Sequence, residues 1–399
     1  MPTGRARIAR LLTMLLPAVL LAAGCSGQRP RLAAQVVTVP TLSETRTPGG
    51  ATPPAPRSFT VVATGEMLIH PQLSAQAAAD ARPAGAGRYD FRAMLAGVKP
   101  LVSGADLAIC QLQTPLAPAG GPYSYYPAFS VPPQVAGAIA ATGYDTCGTA
   151  SNHTLDGGAA GVSRTLDALD EAGVRHTGSA RSAVEAVTPD IVDVHGVRVA
   201  QLSYTSGFNG RTPPADRPWL ANRTDPAQIL AAARQARAAG AQVVIVSLQW
   251  GSALGHQPDA AQATLAGQLL TDPAVDLIVG CHAYLTQPFE KVNDKWVVYG
   301  LGNLLARHAV PTTANTAGMA ARFTFARDGA GRWRVTRAEY VPTYIDLGPP
   351  IRVVNLPAAL ADPALPPATR ARYAQIEAAT DQVATSLRGP GGGLSRGTR

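Results

Sequence analysis

Five short polar clusters in this sequence carry side chains that can ligate a metal or hydrogen-bond to a ligand. Each cluster directly follows a run of apolar residues, and in chain order they are Gly65-Glu66, Gln111 to Gln113, Ser151 to His153, Gln249 to Gly251, and Cys281 to Tyr284. Carboxylate, imidazole and thiolate groups are common metal donors in proteins. One such cluster alone carries little information, because a single histidine or amide is commonly a hydrogen-bonded core residue. Their recurrence behind apolar runs is what indicates a site.

The apolar runs predict strands, and the stretches between them predict helices. Helical periodicity closed by glycine appears twice, in Ser163 to Ala172 before Gly173 and in Pro226 to Ala239 before Gly240. The alternation predicts an α/β fold, layered, with sheet between helices. The predicted strands are Phe59 to Ala63, Leu107 to Cys110, Val197 to Tyr204, Val243 to Val246, Leu277 to Val279, Lys295 to Tyr299, Arg322 to Phe325 and Trp333 to Tyr340.

Ligands of α/β sheets bind beyond the carboxyl ends of the strands, which is where the polar clusters lie in the predicted order. We therefore expect one cleft at that edge of the fold. The side chains expected to line it are Glu66, Gln113, Asn152, His153, Gln249, His282 and Tyr284.

The N-terminus predicts export. Three arginines precede the apolar run Leu11 to Leu21, which is shorter than the roughly 20 residues that span a bilayer and is typical of a cleaved signal. Leu21 to Cys25 then resembles a bacterial lipobox, in which a cysteine behind small residues takes a lipid. We expect a signal peptide over residues 1–24, lipidation at Cys25, and a position on the outer face of the cell membrane. An ordinary secretory signal is the alternative.

The rest of the chain divides by composition. Residues 25–57 are rich in Pro, Thr and Ala and predict a disordered tether, and residues 389–399 predict a disordered tail. One large domain is expected over 58–345, followed by a helical extension over 346–388.

Charge and cysteine content exclude some classes of function. The net charge of +8 falls to +5 when the signal arginines are removed, and no Lys/Arg cluster with interleaved aromatics is present, so nucleic acid is not an expected partner. With Cys25 lipidated, the odd number left, Cys110, Cys147 and Cys281, means that at least one thiol is not paired within the chain. Buried free thiols are expected at all three.

The polar clusters, read with their flanking residues, resemble the CapA family of capsule or poly-γ-glutamate synthesis proteins. The resemblance covers about residues 58–345. The segments that carry it are Gly65 to Leu68, Asp106 to Leu116, Ala150 to Asp156, Val246 to Gly251, Gly280 to Tyr284 and Tyr299 to Asn303.

This resemblance implies a calcineurin-like metallophosphatase fold, a two-sheet sandwich flanked by helices. It also implies export and a role with polyglutamate or another cell-surface polymer. In the family the motifs usually read Gly-Asp, Asn-Leu-Glu, Asn-Asn-His, His-Trp-Gly and Gly-His-His-x-His, which are similar to the ligands of a two-metal site. Two nearby cations can clamp the attacking and leaving oxygens of a phosphoryl displacement.

This sequence departs from those motifs at most ligand positions. Glu66 stands for the usual Asp, Gln113 for the Glu, Gln249 and Tyr284 for histidines, and Cys281 for one further histidine. A thiolate at Cys281 could ligate zinc, although its position is not one at which the family is expected to ligate. We expect one divalent metal at most, or none, with the ligands Glu66, Asn152, His153 and His282 and with His153 as the proton-transferring catalytic group.

Three functional hypotheses follow. The first is a pseudoenzyme that binds an anionic polymer or its synthesis machinery, and the second is a metal-dependent hydrolase or phosphatase with altered ligands. A purely structural surface lipoprotein is the third. The number of bound metals distinguishes the first two, because the enzyme requires two and the pseudoenzyme one or none.

Overall fold

Two β-sheets packed face to face form the centre of the protein. The computed structural model describes residues 57–85, 87–387 and 393–398, all of them within one unit, residues 54–399. The predicted signal peptide, Cys25 and all but the last residue of the predicted tether lie outside the described residues.

The first sheet is built around β1, whose neighbours are β12 on one side and β2 on the other. Its nine strands follow the order β14-β13-β12-β1-β2-β3-β4, with β11 paired to β1 and β15 paired to β13. Strands β1 to β4 are parallel to one another. The strands are β1 (Ser58–Leu68), β2 (Leu107–Leu112), β3 (Thr146–Gly148), β4 (Arg175–Thr177), β11 (Asn303–Ala306), β12 (Ala317–Arg327), β13 (Trp333–Asp346), β14 (Arg352–Asn355) and β15 (Leu394–Arg396).

The second sheet has six strands in the order β5-β6-β7-β8-β10-β9. Strands β6, β7, β8 and β10 are parallel, so their carboxyl ends share one edge. The strands are β5 (Ile191–Val194), β6 (Val197–Thr205), β7 (Val243–Gln249), β8 (Leu277–Cys281), β9 (Thr286–Val292) and β10 (Lys295–Leu301).

Apolar side chains fill the space between the sheets and the space beneath the helices outside them. Val61, Ile109 and Val243 belong to the core between the sheets. Helices α1, α2, α4 and α5 cover the first sheet, and α7 and α8 cover the second. The helices are α1 (Pro71–Ala84), α2 (Arg92–Leu95), α3 (Lys99–Ser103), α4 (Gln134–Thr142), α5 (Gly158–Glu171), α6 (Ala183–Val187), α7 (Pro226–Ala238), α8 (Ala260–Thr271), α9 (Thr313–Thr316), α10 (Leu356–Ala361) and α11 (Pro367–Ala384).

This architecture confirms the predicted α/β sandwich of two sheets flanked by helices. Both faces of the parallel strands are covered, which explains why β7 reads as a continuous apolar run rather than an alternating one. Across the part of the chain that the structure describes, no helix is both long and apolar enough to cross a membrane.

Polar contacts between the sheets hold their carboxyl edges together. The Gln111 amide in β2 donates to the Ser247 hydroxyl in β7 at 3.1 Å, and the Thr146 hydroxyl in β3 donates to the Gln201 side-chain oxygen in β6 at 2.7 Å. The two parallel sets of strands therefore end side by side, and their loops can meet.

The C-terminal region differs from the prediction. The expected helical extension, 346–388, contains the helices α10 and α11 as predicted, but also the strand β14, which adds to the edge of the first sheet at Thr343 to Asp346. The expected disordered tail, 389–399, contains β15, which pairs in parallel with Ala338 to Tyr340. The prediction was wrong there because β13 is 14 residues long and leaves part of one edge uncovered by β14, and an uncovered edge can take another strand.

The prediction of three free thiols was also wrong. Cys110 in β2 and Cys147 in β3 are direct partners in the parallel register and form a disulfide, with their Cα atoms 4.5 Å apart. Cys281 is free and buried. The pairing depends on strand register between two parallel strands, which the spacing of the cysteines along the chain does not reveal.

Candidate functional site

Glu66 is a buried carboxyl near the end of β1. The backbone of the β10–β11 turn runs directly against β1 here, since a Cβ added to Gly65 would lie 2.3 Å from the Gly302 oxygen. The Glu66 Oε1 atom accepts a hydrogen bond from the His282 backbone N–H, and its Oε2 atom is buried without a partner. Burial raises the pKa of Glu66 to about 8, although the His282 N–H opposes the shift. The carboxyl is therefore mostly protonated at pH 7.

Gln249, at the end of β7, bonds to two other predicted site residues through its side-chain amide. Its Nε2 group donates to Asn152 Oδ1 at 2.7 Å and to Gln113 Oε1 at 3.1 Å. Its Oε1 atom accepts from the Asn152 backbone N–H at 3.1 Å and from the Thr205 hydroxyl. Every hydrogen-bonding position of the Gln249 amide is used, and the neutral network continues to the cleft wall, where the Asn152 amide donates to Asn209 Oδ1 at 3.1 Å.

The loop after β8 has a strained backbone. His282 has φ 100° and Tyr284 has φ 58°, conformations that side chains larger than glycine seldom adopt and that concentrate at functional sites. The His282 Nδ1 atom is buried without a partner, and burial, with the charge of His153, lowers the pKa of His282. Burial also raises the pKa of the Tyr284 phenol. Both side chains are thus neutral at pH 7.

His153 is oriented by a buried carboxylate. Its Nδ1 atom lies 2.7 Å from Asp156 Oδ2, which also accepts the Phe129 backbone N–H at 2.9 Å. The Arg211 guanidinium lies 3.4 Å from the other oxygen of Asp156. Because the carboxylate only accepts, Nδ1 carries the proton and Nε2 is left able to accept one. The pair can therefore receive a proton at His153 and hold the resulting charge.

The structure brings the seven predicted residues into one connected group, but not all of them face the cleft. A cleft of about 470 Å³ is lined by Asn152, His153 and Tyr284. Gln113, Gln249 and Glu66 are buried behind them. His282 bonds to Glu66, and the Gln113 amide lies 3.9 Å from the Cys281 sulfur.

Several cleft residues escaped the prediction. His70, two residues beyond the end of β1, and His308, two residues beyond β11, line the cleft with ring centroids 5.2 Å apart. Burial, followed by the charge of His308, lowers the pKa of His70 to about 4. Both follow an apolar run, so the signal that identified the other clusters could have found them. The further cleft residues are Leu68, Tyr126 to Phe129, Asp156, Asn209 and Arg211.

The donors present do not fit a two-metal centre. In residues 57–85, 87–387 and 393–398, no group of three or more His, Cys, Asp and Glu side chains is arranged to hold a metal. The buried donors without a hydrogen-bond partner in this region are Glu66 Oε2, Asp156 Oδ1, His282 Nδ1 and Asn303 Oδ1, and their acidic and histidine members do not form such a group. The amides of Gln113, Asn152 and Gln249 are already bonded to one another.

The fold and the residues at its strand ends define a class of two-sheet α/β proteins with a polar cleft at one edge. The family model described as bacterial capsule synthesis protein PGA_cap matches residues 60–308, and the chain belongs to this family. The resemblance to capsule and poly-γ-glutamate synthesis proteins is thereby confirmed.

Three relatives have names that refer to capsule, PGA or polyglutamine synthesis. The chain is 28% identical over 171 residues to the capsule biosynthesis protein CapA of Bacillus anthracis, covering 42% of this chain and 41% of that protein. It is 27% identical over 194 residues to the PGA biosynthesis protein CapA of Bacillus subtilis, covering 47% and 49%. It is 28% identical over 169 residues to a probable polyglutamine synthesis accessory protein of Mycobacterium tuberculosis, covering 40% and 44%. Each match spans less than half of the relative.

Among solved structures, the chain is similar to the NAD nucleotidase of Haemophilus influenzae, with 11% identity and a TM-score of 0.46 over 86% of this chain and 64% of that chain. It is also similar to a calcineurin-like phosphoesterase of Bacillus subtilis, with 12% identity and a TM-score of 0.40 over 81% and 97%. At these values the likeness carries no functional information.

Proposed function

We propose that this chain is an exported, lipid-anchored member of the capsule synthesis family that supports the synthesis or attachment of an anionic cell-surface polymer. In this role the cleft binds the polymer or a protein of its synthesis machinery and does not hydrolyse phosphate esters. The observation that carries the proposal is the neutral amide network of Gln113, Asn152 and Gln249, at positions where the family resemblance implies metal ligands.

The charge of the site supports a pseudoenzyme. Two divalent cations carry four positive charges, which anionic carboxylates or thiolates must offset. The only carboxylate of the predicted ligand set is Glu66, whose pKa of about 8 leaves it largely neutral at pH 7. Burial raises the pKa of the Cys281 thiol well above its ordinary value. Without metal, the predicted ligand set therefore carries little negative charge, and the nearby Asp156 carboxylate is already engaged by His153 and Arg211.

The lining of the cleft suits an acidic ligand. Arg211 is a cation at its wall, and Asn209 and Tyr284 add an amide and a phenol that can donate hydrogen bonds. The single carboxylate of the lining, Asp156, is buried and directed to His153. A volume of about 470 Å³ is that of a small-ligand pocket, enough for one or two units of a polymer.

A metal-dependent hydrolase with altered ligands is the second candidate, and the His153–Asp156 pair favours it. The pair leaves His153 Nε2 as a base or, once protonated, as an acid beside the cleft. This hypothesis requires tightly held metal, and it requires hydrolysis that His153→Ala abolishes.

Restoring the family's ligands should create a metal site that the unmodified protein lacks. Combining Gln113→Glu, Gln249→His and Tyr284→His replaces neutral groups by one carboxylate and two imidazoles. We expect the purified protein to hold at most one metal per chain, and the triple variant to hold more. A ligand at 100 times its dissociation constant stabilises a folded protein by about 2.7 kcal/mol, so the melting temperature of the variant should rise with added Mn²⁺ or Zn²⁺. Elemental analysis and thermal melts with and without chelator measure both quantities.

The single variant Gln113→Glu is the matched control for this experiment. It adds a buried negative charge without nitrogen donors, and it should lose stability with little response to metal. Two tightly bound metals in the unmodified protein, together with phosphate-ester hydrolysis lost in His153→Ala, would overturn the pseudoenzyme proposal in favour of the hydrolase.

Export has support from the buried disulfide between Cys110 and Cys147, because disulfides persist mainly in oxidising compartments outside the cytosol. For anchoring, Cys25→Ser should abolish the incorporation of a tagged fatty acid into the protein in cells and release it or leave its signal uncleaved. A Ser substitution at Cys281, which is buried, is the control and should label normally. Equal label on the Cys25→Ser protein contradicts the lipid anchor.

A further inference from the structure

Three exposed apolar residues lie at the cleft or on loops that adjoin it. Tyr126 lines the cleft, and Leu254 lies beside it because its N–H donates to the Ala283 oxygen, next to Tyr284, at 2.9 Å. Val310 follows His308 by two residues, and the His308 ring lies 4.9 Å from that of Tyr284. We call these residues the apolar rim. Tyr126 is 79% exposed, Leu254 65% and Val310 76%, and the two other large hydrophobic residues so exposed in the described part of the chain are Val184 and Val187.

Leu254 is exposed at a backbone cost. Its φ of 63° places a bulky side chain in the left-handed region, which is unfavourable by roughly 1–2 kcal/mol. An apolar side chain that neither packs nor relaxes the backbone gives no stability to the isolated fold. Such outliers cluster at sites with a function outside the fold itself.

The loops that carry the apolar rim are nearly free of charge. No residue is charged from Gln113 to Pro133, which joins β2 to α4, or from Trp250 to Pro258, which precedes α8. In the loop 307–312, after β11, Arg307 is the only charged residue. Few charges together with exposed tyrosine and aliphatic side chains are typical of surfaces that become buried in a protein interface or at a membrane interface.

We propose that the apolar rim inserts into the outer leaflet of the membrane, so that the cleft opens onto the lipid surface. The three residues are single exposed side chains in three separate loops, whereas a stable protein interface needs about 800 Å² per partner. Single apolar side chains on separate tips can each enter the headgroup region. Arg307, on a rim loop, can pair with a lipid phosphate, and the rim loops carry no carboxylate to repel that phosphate.

The proposed anchor at Cys25 lets this contact form, and the inference rests on that part of the proposed function. β1 runs from Ser58 to Leu68, so the chain enters the domain roughly 36 Å from the cleft edge. The residues between Cys25 and Ser58 can span up to about 110 Å when extended, which is enough for the cleft edge to turn to the membrane. Holding the domain close to the bilayer gives a high effective concentration, so a weak contact becomes populated. A polymer leaving the membrane then meets the cleft directly.

Vesicle binding by a chain without its lipid tests the contact. Residues 25–399 with Cys25→Ser are mixed with vesicles of phosphatidylethanolamine and phosphatidylglycerol and sedimented. The protein should bind, and the combination Tyr126→Ser, Leu254→Ser and Val310→Ser should weaken binding at least tenfold. The matched control, Val184→Ser with Val187→Ser on α6, should bind as well as the parent. No binding by the parent, or equal loss in both variants, overturns the proposal.

Depth and self-association provide two independent readouts. Tryptophan fluorescence of Leu254→Trp should be quenched by vesicles whose acyl chains carry bromine, and absence of quenching overturns insertion. Sedimentation velocity can show a dimer that the rim variant abolishes. If the parent also fails to bind vesicles, the apolar rim is an interface with a second copy of the chain, and the membrane proposal is overturned. Failure of these tests is distinct from failure of the proposed function, which metal content and fatty-acid labelling measure.

Discussion

Replacing Glu66 by glutamine should stabilise the metal-free protein above pH 7 and remove a large part of the pH dependence of its unfolding free energy. Glu66 is buried, and one of its carboxyl oxygens has no partner. Burial raises its pKa from 4.5 to about 8. The folded protein therefore keeps a proton at Glu66 across a pH range in which the unfolded chain has released it.

The sign of the effect follows from proton linkage. Between pH 4.5 and 8 the folded state binds more protons at Glu66 than the unfolded state does, so the unfolding free energy falls as pH rises. A shift of this size corresponds to about 5 kcal/mol lost by pH values above 8, at about 1.4 kcal/mol per pKa unit. Glutamine keeps the acceptor for the His282 N–H and does not ionise, so the variant avoids this loss.

Denaturant unfolding at several pH values, with chelator present, measures the effect. The unfolding free energy of the parent should decline from pH 5 to pH 8.5, and that of Glu66→Gln should decline much less. Glu339→Gln is the matched control, because Glu339 is also buried but has Arg337 as an ion-pair partner at 2.9 Å. That variant should gain no stability at pH 8. Parallel pH profiles for the parent and Glu66→Gln would show that the buried carboxyl is not the source of the dependence.

Most positions of the site residues could be predicted from the sequence because they follow or end an apolar strand; the exception is the pair Asn152 and His153, which follows the short strand β3, Thr146–Gly148. The predicted strands nevertheless ended several residues too early. Glu66 and Gln249 were interpreted as residues beyond strands, whereas they lie within β1 and β7. A polar residue inside a strand is indistinguishable by pattern from one that ends it, because burial of its side chain is decided by the opposite sheet.

The departures from the family's usual motifs could also be read from the sequence, but their structural consequence could not. Gln113, Asn152 and Gln249 are far apart in the chain, and their mutual hydrogen bonds depend on the alignment of two sheets. The same applies to Asp156, which orients His153 only because a turn brings the two side chains together. His70 and His308, by contrast, follow strands as the other clusters do and were overlooked.

The remaining errors of the sequence-based prediction come from pairing between strands that are far apart in the sequence. Whether a C-terminal segment such as Leu394–Arg396 forms a strand depends on the free edge of β13, and its short glycine-flanked sequence carries no periodic signal. The disulfide is the same kind of feature, because Cys110 and Cys147 meet only through the parallel register of β2 and β3. The odd number of cysteines shows that at least one thiol is not paired within the chain, but it does not identify which cysteines form the disulfide.

Removing this disulfide should lower the unfolding free energy by about 4 kcal/mol in the combined variant Cys110→Ala and Cys147→Ala. The cysteines are 37 residues apart, and the chain-entropy model assigns about that stabilisation to a loop of such length. Both side chains are fully buried in the core beneath α4 and α5, so truncation to alanine adds a packing loss in the same direction.

Urea unfolding with and without reductant tests the prediction. Reductant should lower the midpoint of the parent and leave that of the double variant unchanged. Cys281→Ala is the matched control, since it removes a buried thiol that is outside the disulfide, and it should stay sensitive to reductant. In a chain carrying Cys25→Ser, one thiol should react in denaturant before reduction and three afterwards. Three reactive thiols before reduction, or midpoints that reductant does not change, would show that the two strands are held together without this bond.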